Sequence, residues 1–184
     1  QLDEIIDNHP EYQYPPYYKA KFLLSLGNEK ESFNAFLPFA RQKQNNFWVW
    51  ELMADFYKKD KNLQLACYCK ALSLNTPDEF LVKIRKSFAL MLIARQLYTE
   101  AKTEINKIID IRSMKGWKIS PQINQWTKQD WYKNAKANSS NSGFYARHLH
   151  KAEELLFNDI PEEIVAAQFV NSDKNVIHFI KNKD

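Results

Sequence analysis

Residues 50–57 read Trp-Glu-Leu-Met-Ala-Asp-Phe-Tyr, and this stretch decides the fold. Trp50, Met53, Ala54 and Tyr57 lie at positions i, i+3, i+4 and i+7, which form one face of an α-helix. That face is apolar and carries one small side chain, so it can pack closely on another helix. The stretch therefore predicts an amphipathic helix that is half buried.

A second apolar stripe follows after a polar turn at residues 58–62 and contains Leu65, Cys69 and Leu72. Two amphipathic helices that are joined by a short polar turn form a hairpin, because each can bury its apolar face against the other. Residues 50–73 are therefore expected to form one helical hairpin.

Small and apolar side chains recur along the chain with a period of 34 or 35 residues. The three recurring columns are Ala20, Ala54 and Ala89; Leu23, Tyr57 and Leu92; and Ser32, Ala66 and Ala101. A fixed period of this length is the signature of a repeat array, in which hairpins stack on their neighbours. The columns therefore predict three hairpins within residues 15–112.

These repeats resemble the tetratricopeptide repeat. Residues 50–57 match the first-helix pattern W-x-x-L-G-x-x-Y of that family, and residues 98–101 match its second-helix pattern Y-x-x-A. The resemblance covers residues 15–112 and implies a mainly all-α fold, an α-solenoid of helix hairpins whose first helices line a concave groove. A helical bundle without repeats is the alternative.

Several positions depart from the family or mark boundaries. Lys70 occupies a column in which the family prefers an apolar residue. Pro38 falls inside a predicted helix and is expected to kink or end it. Thr76, Pro77 and Glu79 follow the pattern of a capping box, which predicts that the third hairpin begins with a helix capped by Thr76.

Two further helices are predicted after the third hairpin, at residues 120–132 and 145–156. Repeat arrays need a terminal helix with a polar outer face, and the second of these segments suits that role. Residues 136–143, Lys-Ala-Asn-Ser-Ser-Asn-Ser-Gly, predict a flexible polar loop between them.

The last part of the chain predicts a β-hairpin. Residues 164–170 and 176–180 are rich in β-branched and aromatic side chains, and residues 171–175 between them favour a turn. The two runs resemble the opening strands of a cold-shock or S1-type oligonucleotide-binding barrel. This segment would then be the truncated start of such a domain.

The chain is thus divided into an N-terminal extension (1–14), a helical repeat domain of three hairpins plus capping helices (15–158) and a β-hairpin (159–184). The chain starts with Gln1 and stops within the β-segment, so we expect the native protein to continue beyond both ends.

A second resemblance rests on two sequence segments, residues 47–52 and 66–72. They resemble an uncharacterised bacterial family, associated with mobile-element conflict systems, that joins such repeats to a cold-shock-like segment.

The composition excludes several classes of site. The chain has only three glycines, Gly27, Gly116 and Gly143, where average usage of about 7% would give about 13. Phosphate-binding loops need closely spaced glycines, because backbone N–H groups must approach the ligand. No Walker or dinucleotide-binding fingerprint is present, which argues against nucleotide-dependent enzymes.

The cysteines and the hydropathy indicate a reducing, aqueous compartment. Cys67 and Cys69 are two residues apart, a spacing unsuited to a disulfide or to joint metal binding on a helix, so we expect buried thiols. The sequence has no run of about 18 apolar residues that could span a membrane. We therefore expect a cytoplasmic protein that does not bind a membrane.

The first candidate site is the groove that the resemblance implies. Residues of the first helices that lie off the packing stripe combine aromatic rings with lysines, which suits an extended or helical partner segment with acidic groups. The predicted groove residues are Tyr14, Tyr17, Lys21, Trp48, Glu51, Asp55, Lys58, Lys83 and Lys86. A solvated helix face is the alternative reading of this set.

The second candidate is a basic region at residues 101–151, which carries a net charge of +7. Lysines alternate here with Trp117, Trp126, Trp131, Tyr132 and Phe144, the combination that single-stranded nucleic-acid binders use. The residues that could contact nucleic acid are Lys115, Lys118, Lys128, Lys133, Lys136 and Arg147. The alternative is that the rings are core residues and the lysines a soluble surface.

No catalytic or metal-binding constellation is visible. His148 and His150 are two residues apart rather than four, and Glu153-Glu154 and Glu162-Glu163 are adjacent pairs typical of solvated faces. We therefore expect no cofactor, no metal and no enzymatic activity, and predict a scaffold that binds a protein or peptide partner. Nucleic acid is the alternative partner, and a catalytic domain outside this sequence is a third possibility.

Overall fold

The computed structural model describes residues 2–160, 165–171 and 176–181, and the protein is mainly α-helical. The helices are α1 (Leu2–Asn8), α2 (Pro15–Ser25), α3 (Glu29–Gln42), α4 (Phe47–Phe56), α5 (Lys61–Ser73), a 3-10 helix (Asp78–Leu81), α6 (Val82–Ala94), α7 (Tyr98–Met114), α8 (Pro121–Thr127), α9 (Asp130–Asn134), α10 (Ser142–Ala146) and α11 (Leu149–Phe157). The strands are β1 (Val165–Asn171) and β2 (Val176–Lys181).

Three helix pairs pack against one another as hairpins: α2 with α3, α4 with α5, and α6 with α7. The small residues of the repeat columns are completely buried where these helices meet. Two polar side chains tighten the hairpins, since Ser32 Oγ donates to the carbonyl of Ala20 at 2.5 Å and Gln64 Nε2 donates to that of Ala54 at 3.2 Å. The 34–35-residue period of small side chains predicted these hairpins, because small side chains are needed where two helix backbones lie close together.

Pro38 does not end its helix. Helix α3 continues through it to Gln42, so the prediction that Pro38 ends the helix is wrong, while a kink there stays a prediction. Phe36 and Phe39 on either side of the proline are both buried, whereas Pro38 itself is exposed. The packing of the two rings outweighs the single hydrogen bond that a proline removes.

The predicted capping box at Thr76 is also wrong. The third hairpin begins with the 3-10 turn, and α6 follows at Val82 without a side-chain cap. A side-chain cap is present on α5 of the second hairpin. There Asp60 accepts from the backbone N–H groups of Asn62 at 2.9 Å and Leu63 at 3.0 Å.

Helix α5 lies at the centre of the molecule. Both α10 and α11 pack on it, and α11 also contacts α3. The last helix therefore folds back over the second helices of the first two hairpins, while α8 and α9 follow α7. Lys70, which departs from the repeat pattern, donates to Glu153 of α11 at 2.5 Å and so replaces an apolar contact with an ion pair.

The strands β1 and β2 pair antiparallel, from Val165 opposite Lys181 to Asn171 opposite Val176, with an irregularity between Ala167 and Phe169. The predicted turn at residues 171–175 lies largely outside the described residues. The relation of this segment to an oligonucleotide-binding barrel stays a prediction.

Candidate interaction surface and a buried polar network

Most predicted groove residues lie on the first helices of the three hairpins, whereas Tyr14 directly precedes α2 and Lys58 lies in the turn after α4. The rings of Tyr17 on α2 and Trp48 on α4 meet edge to face, with their centroids 5.1 Å apart. Glu51 on α4 and Lys83 on α6 form an ion pair at 2.8 Å. These two contacts join α2, α4 and α6 into one continuous surface, which we call the first-helix surface.

Aromatic rings dominate the N-terminal end of this surface. Tyr14 is 53% exposed, and its ring lies 6.3 Å from those of both Phe39 and Trp48. The ammonium group of Lys21 lies 5.4 Å from the ring centroid of Tyr17, a cation–π distance. This end combines a half-buried apolar floor with a positive edge.

The charges of the surface are only partly compensated. Lys58 pairs with Asp55 at 3.2 Å, and the hydrogen bond and charge of Glu51 raise the pKa of Lys83. Lys21 and Lys86 form no ion pair with a carboxylate in the described part of the chain. The surface therefore has two cations available to a partner.

A cavity of about 530 Å³ opens where α4, α5 and α6 meet, next to Asp55 and Lys58. Tyr68, Leu90 and Met91 line it, and Leu90 is 51% exposed. Burial raises the pKa of Tyr68 to about 12, so this side chain presents a neutral ring and hydroxyl group. This cavity could not be predicted from the sequence, because its walls come from two different hairpins.

Lys86 lies three residues after Lys83 on α6, at the edge of the first-helix surface. It lines a cleft of about 290 Å³ together with Arg112 and Trp117, which belong to α7 and the segment after it. Lys83 also borders this cleft, so the two features are neighbours on α6.

The rings of the basic region are mostly part of the core. Trp126 and Phe144 are buried, and Trp131 stacks on Tyr98 with centroids 5.2 Å apart. Tyr132 donates a hydrogen bond to Asn106 at 2.5 Å. The expected alternation of lysines with exposed stacking rings is therefore not formed, because burial of these rings stabilises the helices around α7.

Trp117 is the exception among these five rings, since 44% of it is exposed. The six basic residues predicted to contact nucleic acid are exposed, but several form contacts within the protein. Lys115 donates to Glu79 at 3.0 Å, Lys133 lies 3.5 Å from Asp130, and the guanidinium of Arg147 lies over the ring of Phe144. Lys118, Lys128 and Lys136 are exposed.

The thiols of Cys67 and Cys69 are buried on α5, as the sequence predicts. Burial raises the pKa of both well above the usual range of a thiol, so neither is a nucleophile at neutral pH. Within the described residues, no three His, Cys, Asp or Glu side chains cluster as metal ligands would. No helix in the same part of the chain has both the length and the apolar character needed to cross a bilayer.

A buried network of charged and polar groups joins α6, α7 and α10. Arg85 Nη1 donates to Glu104 Oε2 at 2.7 Å, and Arg85 Nη2 donates to Asp78 at 2.9 Å. The other carboxylate oxygen of Glu104 accepts from Asn141 Nδ2 at 2.7 Å and from the hydroxyl group of Tyr145. Arg85, Glu104, Asn141 and Tyr145 are all buried.

This network shifts the pKa values of its members. Burial opposes the charge of Arg85, but Glu104, Tyr145 and Asp78 outweigh it and raise the pKa of the guanidinium. Burial also opposes ionisation of Asp78, yet hydrogen bonds from Lys107 and Arg85 lower the pKa of its carboxyl group. Burial and then Glu104 raise the pKa of Tyr145 far above its usual value.

Sequence reasoning missed this network, although one signal was present. Glu104 lies three residues after Ala101 and four before Ile108, on the buried stripe of α7. An acidic residue on an apolar stripe needs a buried partner, and Arg85 stands in the same repeat column as Trp50. The loop at 136–143 gave no such signal, because its Asn/Ser composition is also typical of mobile segments.

The comparisons with known proteins point to one family. No curated protein and no solved structure matches the chain significantly. The resemblance to the tetratricopeptide repeat therefore stays a prediction. A family described as a domain of unknown function (DUF7017) matches residues 13–152, from just before α2 into α11, which is well over half of the 184 residues. The chain belongs to this family of DUF7017 domains.

Proposed function

We propose that this protein is a non-enzymatic scaffold, part of a larger protein, whose hairpins form an α-solenoid that binds a partner segment along the first-helix surface. The observation that carries the proposal is the pair of contacts between successive first helices, Tyr17 with Trp48 and Glu51 with Lys83. A surface that spans three hairpins offers the length that an extended or helical segment needs.

The chemistry of the surface favours a partner segment that is acidic and carries an apolar anchor. The groove set has four lysines and two carboxylates, and Lys21 and Lys86 have no carboxylate partner among the described residues. The cavity beside Leu90 and Met91 has the size and lining to take one apolar side chain of the partner. Apolar contacts would supply affinity, and the lysines would select charge.

The proposal is tested by selecting peptides from a random phage-displayed library against the full chain. Enriched peptides should contain Asp or Glu next to an aromatic or aliphatic residue. Titration calorimetry of these peptides should show about tenfold or greater weakening for the double variant Lys21→Glu/Lys86→Glu, since two attractive contacts become repulsive. Leu90→Asp should weaken binding further by making the cavity wall polar.

Lys30→Glu is the matched control, because Lys30 is an exposed lysine on α3, outside the groove. It should bind the enriched peptides as the wild type does. The proposal fails if no peptide is enriched, or if the enriched peptides bind all four proteins equally.

A nucleic-acid partner is the second candidate, and the cleft at Trp117 favours it. An exposed indole with Lys86 and Arg112 on the same cleft is a small version of a stacking platform beside cations. Fluorescence anisotropy with a single-stranded oligonucleotide tests it. Binding must weaken as salt is raised. Trp117→Ala must reduce binding, because Trp117 is the exposed indole of this region, whereas Trp126 is buried and cannot stack on a base.

A further inference from the structure

A second cavity, of about 520 Å³, lies between α6, α7 and the loop that leads into α10. Its volume is within the range of sites for small molecules. None of the predicted groove residues lines it, so it is distinct from the first-helix surface. Its floor is the buried network of Arg85, Glu104, Asn141 and Tyr145.

The wall of this cavity consists mainly of hydroxyl and amide side chains. Ser139, Ser140 and Ser142 contribute from the loop, and Asn106 and Thr103 from α7. Such groups both donate and accept hydrogen bonds without carrying charge. This is the lining that a ligand rich in hydroxyl groups requires.

The loop is held in place, although its sequence predicts flexibility. The backbone N–H of Asn138 donates to Thr103 Oγ1 at 2.9 Å, and Asn141 Nδ2 donates to the carbonyl of Glu100 at 3.0 Å. Within the loop, the N–H of Ser142 donates to Ser140 Oγ at 3.1 Å. A wall fixed in this way is preorganised, which lowers the entropic cost of binding a ligand.

The charges around the cavity disfavour an anion. Asp78 is compensated by Arg85 at 2.9 Å and Lys107 at 2.8 Å, and Glu104 is saturated by its three donors. Asp110 also lines the cavity and forms no ion pair in the described part of the chain. A phosphate or carboxylate would meet this free carboxylate, while both nearby cations are already paired.

Two buried polar atoms at the cavity floor have no hydrogen-bond partner within the described residues: Arg85 Nε and Asn141 Oδ1. The orientation of the Asn141 amide is fixed, because its nitrogen already donates to two oxygens. One atom needs an acceptor and the other needs a donor, and a hydroxyl group is both. Arg85 and Asn141 both line the cavity, so these two unsatisfied atoms mark its floor as polar.

We propose that this cavity binds an uncharged polyhydroxylated ligand, such as a sugar ring or the ribose of a nucleoside, whose hydroxyl groups meet the unsatisfied donor of Arg85 and the unsatisfied acceptor of Asn141. The proposal is independent of the scaffold function, because the cavity and the first-helix surface share no predicted residue.

Saturation-transfer NMR on the full chain tests this with five probes: D-glucose, D-ribose, adenosine, 2′-deoxyadenosine and inorganic phosphate, each up to about 5 mM, the range of weak sites. Signal from glucose and ribose indicates a free sugar as the source. Signal confined to adenosine, and lost in 2′-deoxyadenosine, indicates a ribonucleoside. Either pattern supports the proposal.

Two variants locate the site. Asn141→Ala should weaken binding about tenfold by removing the buried acceptor, and Ala146→Trp should abolish it by filling the cavity from an exposed position on α10. Asn124→Ala, at an exposed amide on α8, is the control and should leave binding unchanged. Should Asn141→Ala unfold the protein, Ala146→Trp decides alone. The proposal is overturned if no sugar or nucleoside binds, if only phosphate binds, or if Ala146→Trp binds as the wild type does.

Discussion

Arg85 and Glu104 form an ion pair of 2.7 Å between α6 and α7, and both side chains are almost fully buried. Removing one partner of such a pair leaves an uncompensated buried charge. Glu104→Leu should therefore lower the free energy of unfolding by about 3–5 kcal/mol, as measured by urea denaturation.

The double variant Arg85→Met/Glu104→Leu is the matched control for this pair. It removes both charges and should recover part of the lost stability, because no buried charge is left unpaired. The recovery is incomplete because Asn141 and Tyr145 still lose their acceptor. A double variant as unstable as the single one would show that the ion pair is not what makes Glu104 stabilising.

Alkaline pH should destabilise the protein through the half-buried Tyr57 and the buried Tyr68. Burial raises the pKa of Tyr57 and of Tyr68 to about 12 from an ordinary value of 10.0. A raised folded-state pKa means that the stabilisation is complete below pH 10 and is lost as the pH rises from about 10 to about 12. Thermal melts across this window should show a falling Tm, and Tyr57→Phe should make the fall shallower. An unchanged slope in that variant would remove Tyr57 as a cause.

The thiols of Cys67 and Cys69 should resist modification. Both are buried and free, and burial holds their pKa above the usual range of a thiol. An aromatic disulfide reagent at neutral pH should therefore react with the folded protein only as fast as it unfolds, and with both thiols at once in denaturant. Rapid reaction under native conditions would contradict the central position of α5.

The cap of α5 should contribute to stability in a pH-dependent way. Hydrogen bonds from the N–H groups of Leu63 and Asn62 to Asp60 lower the pKa of its carboxyl group. Its contribution is therefore present above the unfolded-state pKa and is lost as the pH falls through the lower folded-state value. Asp60→Ala should lower Tm at neutral pH and flatten the acid limb of the Tm profile. Asp60→Asn should retain more stability, because asparagine also caps.

The fold-back of α11 can be tested at Leu156, which is fully buried against the second helices. Leu156→Ala should lower the free energy of unfolding by about 2–5 kcal/mol, since it leaves a cavity in the main core. The neighbouring Leu155 is partly exposed, so Leu155→Ala is the control and should cost less. Equal effects would mean that α11 is not anchored through this face.

The sequence predicted the hairpins better than it predicted their surroundings. The columns at Ala20, Ala54 and Ala89 identified helix pairs because close helix contacts demand small side chains at a fixed period. The expectation that a proline ends a helix failed at Pro38, which α3 accommodates between the buried rings of Phe36 and Phe39. The free-energy cost of an unfavourable residue within a helix is offset by the free energy gained when two aromatic side chains are buried.

The first-helix surface and the cavity at Leu90 also differ in how far the sequence predicts them. Tyr17, Trp48, Glu51 and Lys83 could be assigned to one surface from the sequence, since first helices of stacked hairpins lie side by side. Their neighbours in the cavity at Leu90 could not, because that wall depends on how α4, α5 and α6 meet.

The sequence by itself determined the mainly helical class, the three hairpins and the burial of both cysteines, because all of these follow from periodicity over a few turns of helix. Only the tertiary structure decided that α11 returns to α5, that most rings of the basic region pack into the core, and that Arg85, Glu104 and Asn141 meet. Contacts between residues far apart in the chain are set by how whole apolar faces match, and a single sequence does not encode that matching locally.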